Sequence, residues 1–135
     1  MDIKVGSAPD SWGVWFPSDP KQTPWQRFLD EIAEASYQWT ELGPYGYLPT
    51  DLPTLRAELD QRGLKVAATF AMGALEDPAG WPALEIQVLG AGELLAALGA
   101  KYLVLIDDSY TDLFTGEMLA PRQLPDDAWQ RLIDT

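Results

Sequence analysis

Apolar residues follow two different periods along this chain. Short, mostly apolar runs predict β-strands, and longer segments with apolar residues three or four positions apart predict amphipathic helices. Each predicted strand is followed by a helical pattern, so the strand–helix unit occurs four times. The predicted strands are Ile3 to Ala8, Gln38 to Leu42, Lys65 to Phe70 and Tyr102 to Ile106.

The predicted helices have recognisable ends. Thr23 suits the N-cap of the first helix and Pro24 its first helical position. The apolar stripe of that helix is formed by Trp25, Phe28, Leu29, Ile32 and Ala33. The later helices are predicted from about Leu52 to Gly63, from about Pro82 to Gly99, and around Trp129.

Strands that alternate with helices predict right-handed βαβ crossovers and a parallel sheet, which is typical of the α/β class. A TIM (β/α)8 barrel takes about 250 residues, and this chain has 135, so its four units correspond to a (βα)4 half of such a barrel with outer helices. An open flavodoxin-like sheet fits the same pattern. In a half barrel one sheet face packs on helices, while the other must meet a missing half, a partner chain or water. The continuous apolar run at 102–106 is expected to be buried on both faces.

Charge excludes some partners. Nine Lys and Arg against 21 Asp and Glu give a net charge of −12, which repels nucleic acid and anionic membranes. No apolar run reaches the roughly 20 residues of a membrane span, and the N-terminus does not read as a signal peptide. We expect a cytoplasmic protein that binds neither nucleic acid nor membranes.

The chain contains no cysteine and no histidine. This composition removes disulfides, thiolate zinc sites, cysteine nucleophiles, the usual general base and the commonest metal ligand. Carboxylates, lysine, arginine, tyrosine and hydroxyls remain for chemistry.

In parallel α/β folds, ligand-binding groups gather in the loops that follow the strands. After the first strand, Asp10 could accept a hydrogen bond from a substrate hydroxyl, and Trp12 could stack on a sugar ring. The structural alternative is that Trp12, Trp15 and Phe16 close the barrel mouth or a subunit interface, because aromatic residues dominate cores and interfaces.

Two further acids lie near strand ends, Glu41 within the second predicted strand and Asp107 directly after the fourth. Strand alternation places Glu41 opposite Thr40 and Leu42, so it should face the pocket, where it could accept a proton, bind a hard cation or hold substrate hydroxyls. Alternatively, Glu41 is buried against arginine or backbone donors, or is simply solvated. Asp107, with Asp108 and Ser109, could hold Mg²⁺ or Mn²⁺, although these residue types also favour turns. We predict substrate-binding roles for Trp12, Glu41, Asp10 and Asp107.

A competing motif lies at Gly90-Ala91-Gly92, which could open a phosphate-binding turn. The third glycine of that fingerprint is replaced by Leu95, whose bulk obstructs the close helix–strand contact that the motif needs. Dinucleotide binding is therefore disfavoured, and we expect both glycines to permit close packing within a helix.

Three segments together resemble a known family: 5–13 (VGSAPDSWG), 39–49 (WTELGPYGYLP) and 98–104 (LGAKYLV). They are similar to the xylose-isomerase-like TIM barrels of the sugar phosphate isomerase/epimerase superfamily, and most of all to its inosose dehydratase branch. The resemblance covers essentially the whole chain, as the N-terminal half of a family member. Ser36 stands where a helix-ending glycine is usual, and Ala67-Ala68 replaces a strand that often contains glycine.

The resemblance implies metal-assisted isomerisation, epimerisation or dehydration of a sugar or inositol derivative. It implies a divalent metal (Mn²⁺, Co²⁺ or Mg²⁺) whose ligands come from the last four strands and so lie beyond Thr135. It leaves a substrate-side role for Glu41 and, more weakly, for Trp12, and it transfers no catalytic residue and no metal ligand to this chain.

We therefore expect residues 1–135 to form a single domain, the N-terminal half of such a barrel, whose partner molecule is a sugar or polyol. Alone it should be inactive, with no turnover of ketoses or inososes in the presence of Mn²⁺ or Co²⁺. The missing C-terminal half or a second copy would complete it. The alternative function is that of a non-catalytic half-barrel that dimerises or binds a partner through its open sheet face.

Overall fold

The computed structural model describes residues 3–107, 110–112, 115–121 and 123–134. Within these ranges each strand is followed by a helix, and a short 3₁₀ helix, Pro9–Trp12, comes directly after the first strand. The strands are β1 (Gly6–Ser7), β2 (Trp39–Pro44), β3 (Lys65–Gly73) and β4 (Tyr102–Asp107). The helices are α1 (Trp25–Glu34), α2 (Leu52–Gln61), α3 (Trp81–Leu98) and α4 (Asp126–Asp134).

The strands form one parallel sheet in the order β1-β2-β3-β4. A flavodoxin-like sheet has the order 2-1-3-4-5, because its chain reverses direction across the sheet. Here each strand lies beside the next one in sequence, as in a (β/α)8 barrel. The strand order therefore confirms the (βα)4 half-barrel and rules out the flavodoxin-like alternative.

The core lies between the sheet and the helices. Phe28, Leu29 and Ile32 of α1 are fully buried, as the apolar stripe predicts, and so is Leu55 of α2. β2 contributes Leu42, at 5% exposure, to the same cluster. The helix layer thus covers one face of the sheet with apolar side chains.

The first turn of α1 differs from the sequence prediction. Pro24, not Thr23, is the N-cap, with an extended backbone (φ −57°, ψ 139°) and no side-chain cap. The Pro24 carbonyl accepts from the Phe28 amide at 3.1 Å, while the Thr23 carbonyl accepts from the Tyr47 hydroxyl at 2.9 Å. The predicted threonine cap is therefore wrong, because Thr23 is held by a tertiary contact instead.

Ser36 ends the turn after α1 in the left-handed region, with φ +67°. Residues with a Cβ rarely adopt this conformation, whereas glycine does so without strain. The position that the family resemblance marks as a usual glycine is therefore one that requires a left-handed backbone.

The prediction that β4 is buried on both faces is wrong. Tyr102 is 68% exposed, Val104 46% and Leu105 48%. Leu103 packs against the helix-side core, but in the described part of the chain β4 pairs only with β3. An apolar run identifies a strand, but its burial depends on neighbours that this sheet edge does not have here.

A helix that crosses a membrane must be long and apolar. None of the described helices has both the length and the apolar character needed to cross a bilayer.

Candidate functional site

An open cleft of about 380 Å³ lies beside β1 and β2, on the side where the 3₁₀ helix follows β1. It combines two carboxylates with hydroxyls and exposed backbone. Its lining residues are Gly6, Ser7, Ala8, Asp10, Ser11, Thr40, Glu41 and Ala67.

The 3₁₀ helix brings Asp10 to this cleft. Its turn is closed by hydrogen bonds from the Ser11 amide to the Ala8 carbonyl (3.0 Å) and from the Gly13 amide to the Asp10 carbonyl (2.9 Å). Pro9 is buried and packs on Gly43, where a Cβ would lie only 2.7 Å from the Pro9 ring. Gly43 also has φ +73°, so glycine at the end of the Glu-Leu-Gly segment is required both by backbone conformation and by the close approach of Pro9.

Glu41 lies in β2 and is half-buried. Its neighbours Thr40 and Leu42 are 1% and 5% exposed, so burial alternates along the strand as predicted, although the register with β3 shifts at this point. Burial raises the pKa of Glu41, and the nearby negative charge of Asp10 raises it further. In the described chain no lysine or arginine forms an ion pair with this carboxylate, so the alternative of a glutamate neutralised by arginine is not what the structure shows.

Asp10 and Glu41 therefore form a pair of carboxylates that differ in burial. Asp10 is exposed, whereas Glu41 is half-buried, and this burial raises the pKa of Glu41. Such a pair can accept hydrogen bonds from adjacent hydroxyls, and the group with the raised pKa is the better proton acceptor.

Trp12 lies outside this cleft, against α1. Its indole N–H donates to Oε2 of Glu31 at 2.6 Å, and its ring meets Phe28 edge-on with centroids 5.0 Å apart. The structure thus gives Trp12 a contact with the helix layer, and its predicted contact with a substrate stays a prediction.

Asp107, the last residue of β4, lines a different and larger cavity of about 480 Å³ with Tyr110, Leu124 and Trp129. Its Oδ1 accepts from the Leu75 amide at 3.2 Å, and its Oδ2 accepts from the Tyr110 hydroxyl. Asp108 and Ser109 lie outside the described residues. The structure therefore does not bring Asp107 to the cleft of Glu41, and its substrate role remains a prediction.

The metal implied by the family resemblance can be tested against the side chains present. Among the described residues, no three acidic side chains lie together as a metal site would require. Asp10 and Glu41 alone do not make the oxygen-rich shell that a hard cation takes in proteins. The described residues therefore do not fit a metal centre, and the two carboxylates can accept hydrogen bonds from hydroxyls without one.

The hydroxyl groups of the cleft were not among the residues predicted from the sequence. Ser7 and Ser11 line it beside Asp10. Both belong to the segment 5–13 that carries the family resemblance, and that resemblance is the feature of the sequence that could have identified them.

The raised pKa of Glu41 predicts a pH-dependent cost to stability. Because its pKa is higher in the folded state, the folded protein holds this proton more tightly, and stability falls as the pH rises through that raised pKa. Glu41→Gln should therefore stabilise the protein at neutral pH. The gain should vanish below the ordinary glutamate pKa of about 4.3, where the carboxyl is protonated in both states.

Urea unfolding of the wild-type protein and of Glu41→Gln, at neutral pH and below the ordinary glutamate pKa, measures this difference in stability. Equal stabilisation at both pH values would mean that the charge of Glu41 is not the cause.

Known proteins share this sequence pattern and this fold. No family model matches the chain. It is 29% identical over 136 residues to an inosose dehydratase of Lacticaseibacillus casei, covering 98% of this chain and 45% of the relative. It is 28% identical over 138 residues to an inosose dehydratase of Geobacillus kaustophilus, covering 98% and 44%. The chain thus spans about half the length of the curated relatives it matches.

A solved structure shows the same fold. The D-allulose 3-epimerase from Methylomonas sp. superposes with a TM-score of 0.53 at 17% identity, covering 98% of this chain and 47% of the epimerase. Together, these matches confirm the resemblance drawn from the sequence: the chain is similar to xylose-isomerase-like TIM barrels, to inosose dehydratases over nearly its whole length, and its fold is half of such a barrel.

Proposed function

We propose that this (βα)4 unit supplies the substrate-binding wall for isomerisation, epimerisation or dehydration of a sugar or inositol derivative. The observation that carries the proposal is the pairing of Asp10 with Glu41 in an open cleft beside the strands. Similarity to inosose dehydratases supports the substrate class.

The cleft has the chemistry that a polyol needs. Asp10 and Glu41 accept hydrogen bonds, while the hydroxyls of Ser7 and Ser11 can donate or accept. Adjacent hydroxyls on a sugar or inositol ring present donors at a spacing that two neighbouring carboxylates can share. The role proposed for Glu41 and Asp10 is to bind and orient hydroxyls, and this 135-residue unit alone is proposed to be inactive.

Substrate binding can be measured without turnover. We expect an inosose to shift the amide NMR signals around Asp10 and Glu41 in the 135-residue chain. Glu41→Gln and Asp10→Asn should each weaken binding about 10-fold or more, because a hydrogen bond to a charged group contributes about 1.5–3 kcal/mol.

Glu85→Gln is the matched control, since Glu85 is exposed on α3 and away from the cleft. Shifts that persist in Glu41→Gln, or that cluster around Glu85, would contradict the proposal. D-allulose in place of the inosose tests whether the cleft prefers a carbocyclic polyhydroxy ketone or a ketose sugar.

A second candidate function is association through the open sheet face. It is favoured by the exposed apolar side chains of β4, with Tyr102 at 68% and Val104 at 46%, because contiguous apolar patches commonly mark interfaces. The occupant would be a second copy or a further half-barrel.

Sedimentation velocity tests this candidate. If β4 is an interface between copies, the chain should sediment as a dimer, and Val104→Lys should convert it to a monomer. A folded monomer at high concentration would count against self-association, and the exposed face would then require a different partner.

A further inference from the structure

The 3₁₀ helix that carries Asp10 is anchored at both ends. At its start, Pro9 is buried against Gly43, so tightly that a Cβ on Gly43 would lie 2.7 Å from the proline ring. At its end, Trp12 packs on Phe28 of α1. Asp10 lies between these anchors, one residue from the first and two from the second.

The second anchor is polar as well as apolar. The indole N–H of Trp12 donates to Oε2 of Glu31 at 2.6 Å, and Nε of Arg27 donates to Oε1 of the same carboxylate at 2.7 Å. The hydrogen bonds from Arg27 and Trp12 hold the pKa of Glu31 below its usual range. Glu31 therefore stays ionised at neutral pH and remains an acceptor for the indole.

The indole N–H of Trp12 forms its hydrogen bond away from the cleft. Its N–H is bonded to α1, its ring packs edge-to-face with the ring of Phe28, and Trp12 is not a lining residue of the cleft. A tryptophan that stacked on substrate would instead present its ring to the cavity.

We propose that Trp12 and Glu31 are positioning residues, whose indole–carboxylate hydrogen bond fixes the 3₁₀ helix on α1 and so holds Asp10 beside Glu41. The use of this geometry in substrate binding rests on the proposed function. The positioning itself is a property of the free protein and can be measured without any ligand.

The reporter is the side chain of Glu41. Asp10 is the only other charged group among the described residues of the cleft, so its distance governs how strongly its charge acts on Glu41. If the anchor is released and Asp10 moves away, the proton affinity of Glu41 should fall.

The experiment is a double-mutant cycle read by ¹³C NMR titration of the Glu41 carboxyl. Asp10→Asn should lower the pKa of Glu41, and Trp12→Phe, which keeps a ring but removes the N–H donor, should lower it by a smaller amount. The double variant should match Asp10→Asn alone, because Trp12 acts through Asp10. If Trp12→Phe leaves this pKa unchanged, or shifts it equally in the presence and absence of Asp10, the proposal is overturned.

Glu31 supplies an independent arm in case Trp12→Phe perturbs the core. Glu31→Gln keeps an oxygen acceptor for the indole and should retain the wild-type pKa of Glu41, whereas Glu31→Ala should reproduce Trp12→Phe. Equal effects of the glutamine and alanine variants would show that loss of the Arg27 ion pair, and not the indole hydrogen bond, is responsible.

The two proposals can fail separately. A positive cycle without inosose binding would leave the positioning intact and remove the proposed substrate. Inosose binding with a negative cycle would keep the substrate and remove the positioning role of Trp12.

Discussion

Phe28→Ala is expected to lower the free energy of unfolding by about 3–5 kcal/mol, the usual cost of removing a buried phenylalanine ring. Phe28 is fully buried and contacts two other rings, that of Trp12 edge-on at 5.0 Å and that of Tyr47 at 6.1 Å. A domain is typically stable by only about 5–15 kcal/mol, so this one substitution should remove a large part of the protein's free energy of unfolding.

Urea unfolding followed by circular dichroism measures the effect as a shift in midpoint at constant slope. Phe28→Leu is the matched control, because it keeps an apolar side chain in the same place and should cost less. If alanine and leucine destabilise equally, the loss comes from the aromatic contacts with Trp12 and Tyr47 and not from the cavity.

The second large effect is expected at Gly90 in α3. A Cβ at this position would lie 2.8 Å from Cε2 of Tyr45, and closer still to its Cζ and hydroxyl. Gly90→Ala should therefore lower the free energy of unfolding by up to about 2 kcal/mol, since overpacking costs about 1–3 kcal/mol and helix propensity returns about 0.8–1 kcal/mol of it.

Gly92 provides the internal control on the same helix. A Cβ there meets nothing within 4 Å, so Gly92→Ala should stabilise the protein by about 1 kcal/mol through helix propensity alone. Thermal unfolding of both variants should give opposite shifts in Tm. In a Tyr45→Ala background the Gly90 substitution should also become stabilising, and continued destabilisation there would show that Tyr45 is not the obstacle.

These two glycines show where sequence reasoning succeeds and where it stops. Both lie in one helical pattern, and the pattern predicts close packing at both. The structure confirms this for Gly90 and contradicts it for Gly92, because only Gly90 faces the Tyr45 ring. Gly90 and Gly92 lie on different sides of α3. The helical period of the sequence does not show which of these sides Tyr45, a loop residue, approaches.

The same distinction applies to the site. The motif after β1 and the acid in β2 predicted that Asp10 and Glu41 would lie near a pocket, and the structure places both on one cleft. Trp12 belongs to the same motif, yet its indole is directed to Glu31, nineteen residues further along the chain. No local pattern links these two positions.

The strand–helix units and the acids near strand ends can be read from the amino-acid sequence, because both depend on local periodicity and short-range turn chemistry. Three features come from the tertiary structure alone: the strands lie in sequential order, β4 is exposed, and Trp12 anchors the 3₁₀ helix on α1. These features depend on which side chains, distant in sequence, lie next to one another. The burial, the hydrogen-bond partners and the pKa of a residue follow from those neighbours and not from its residue type.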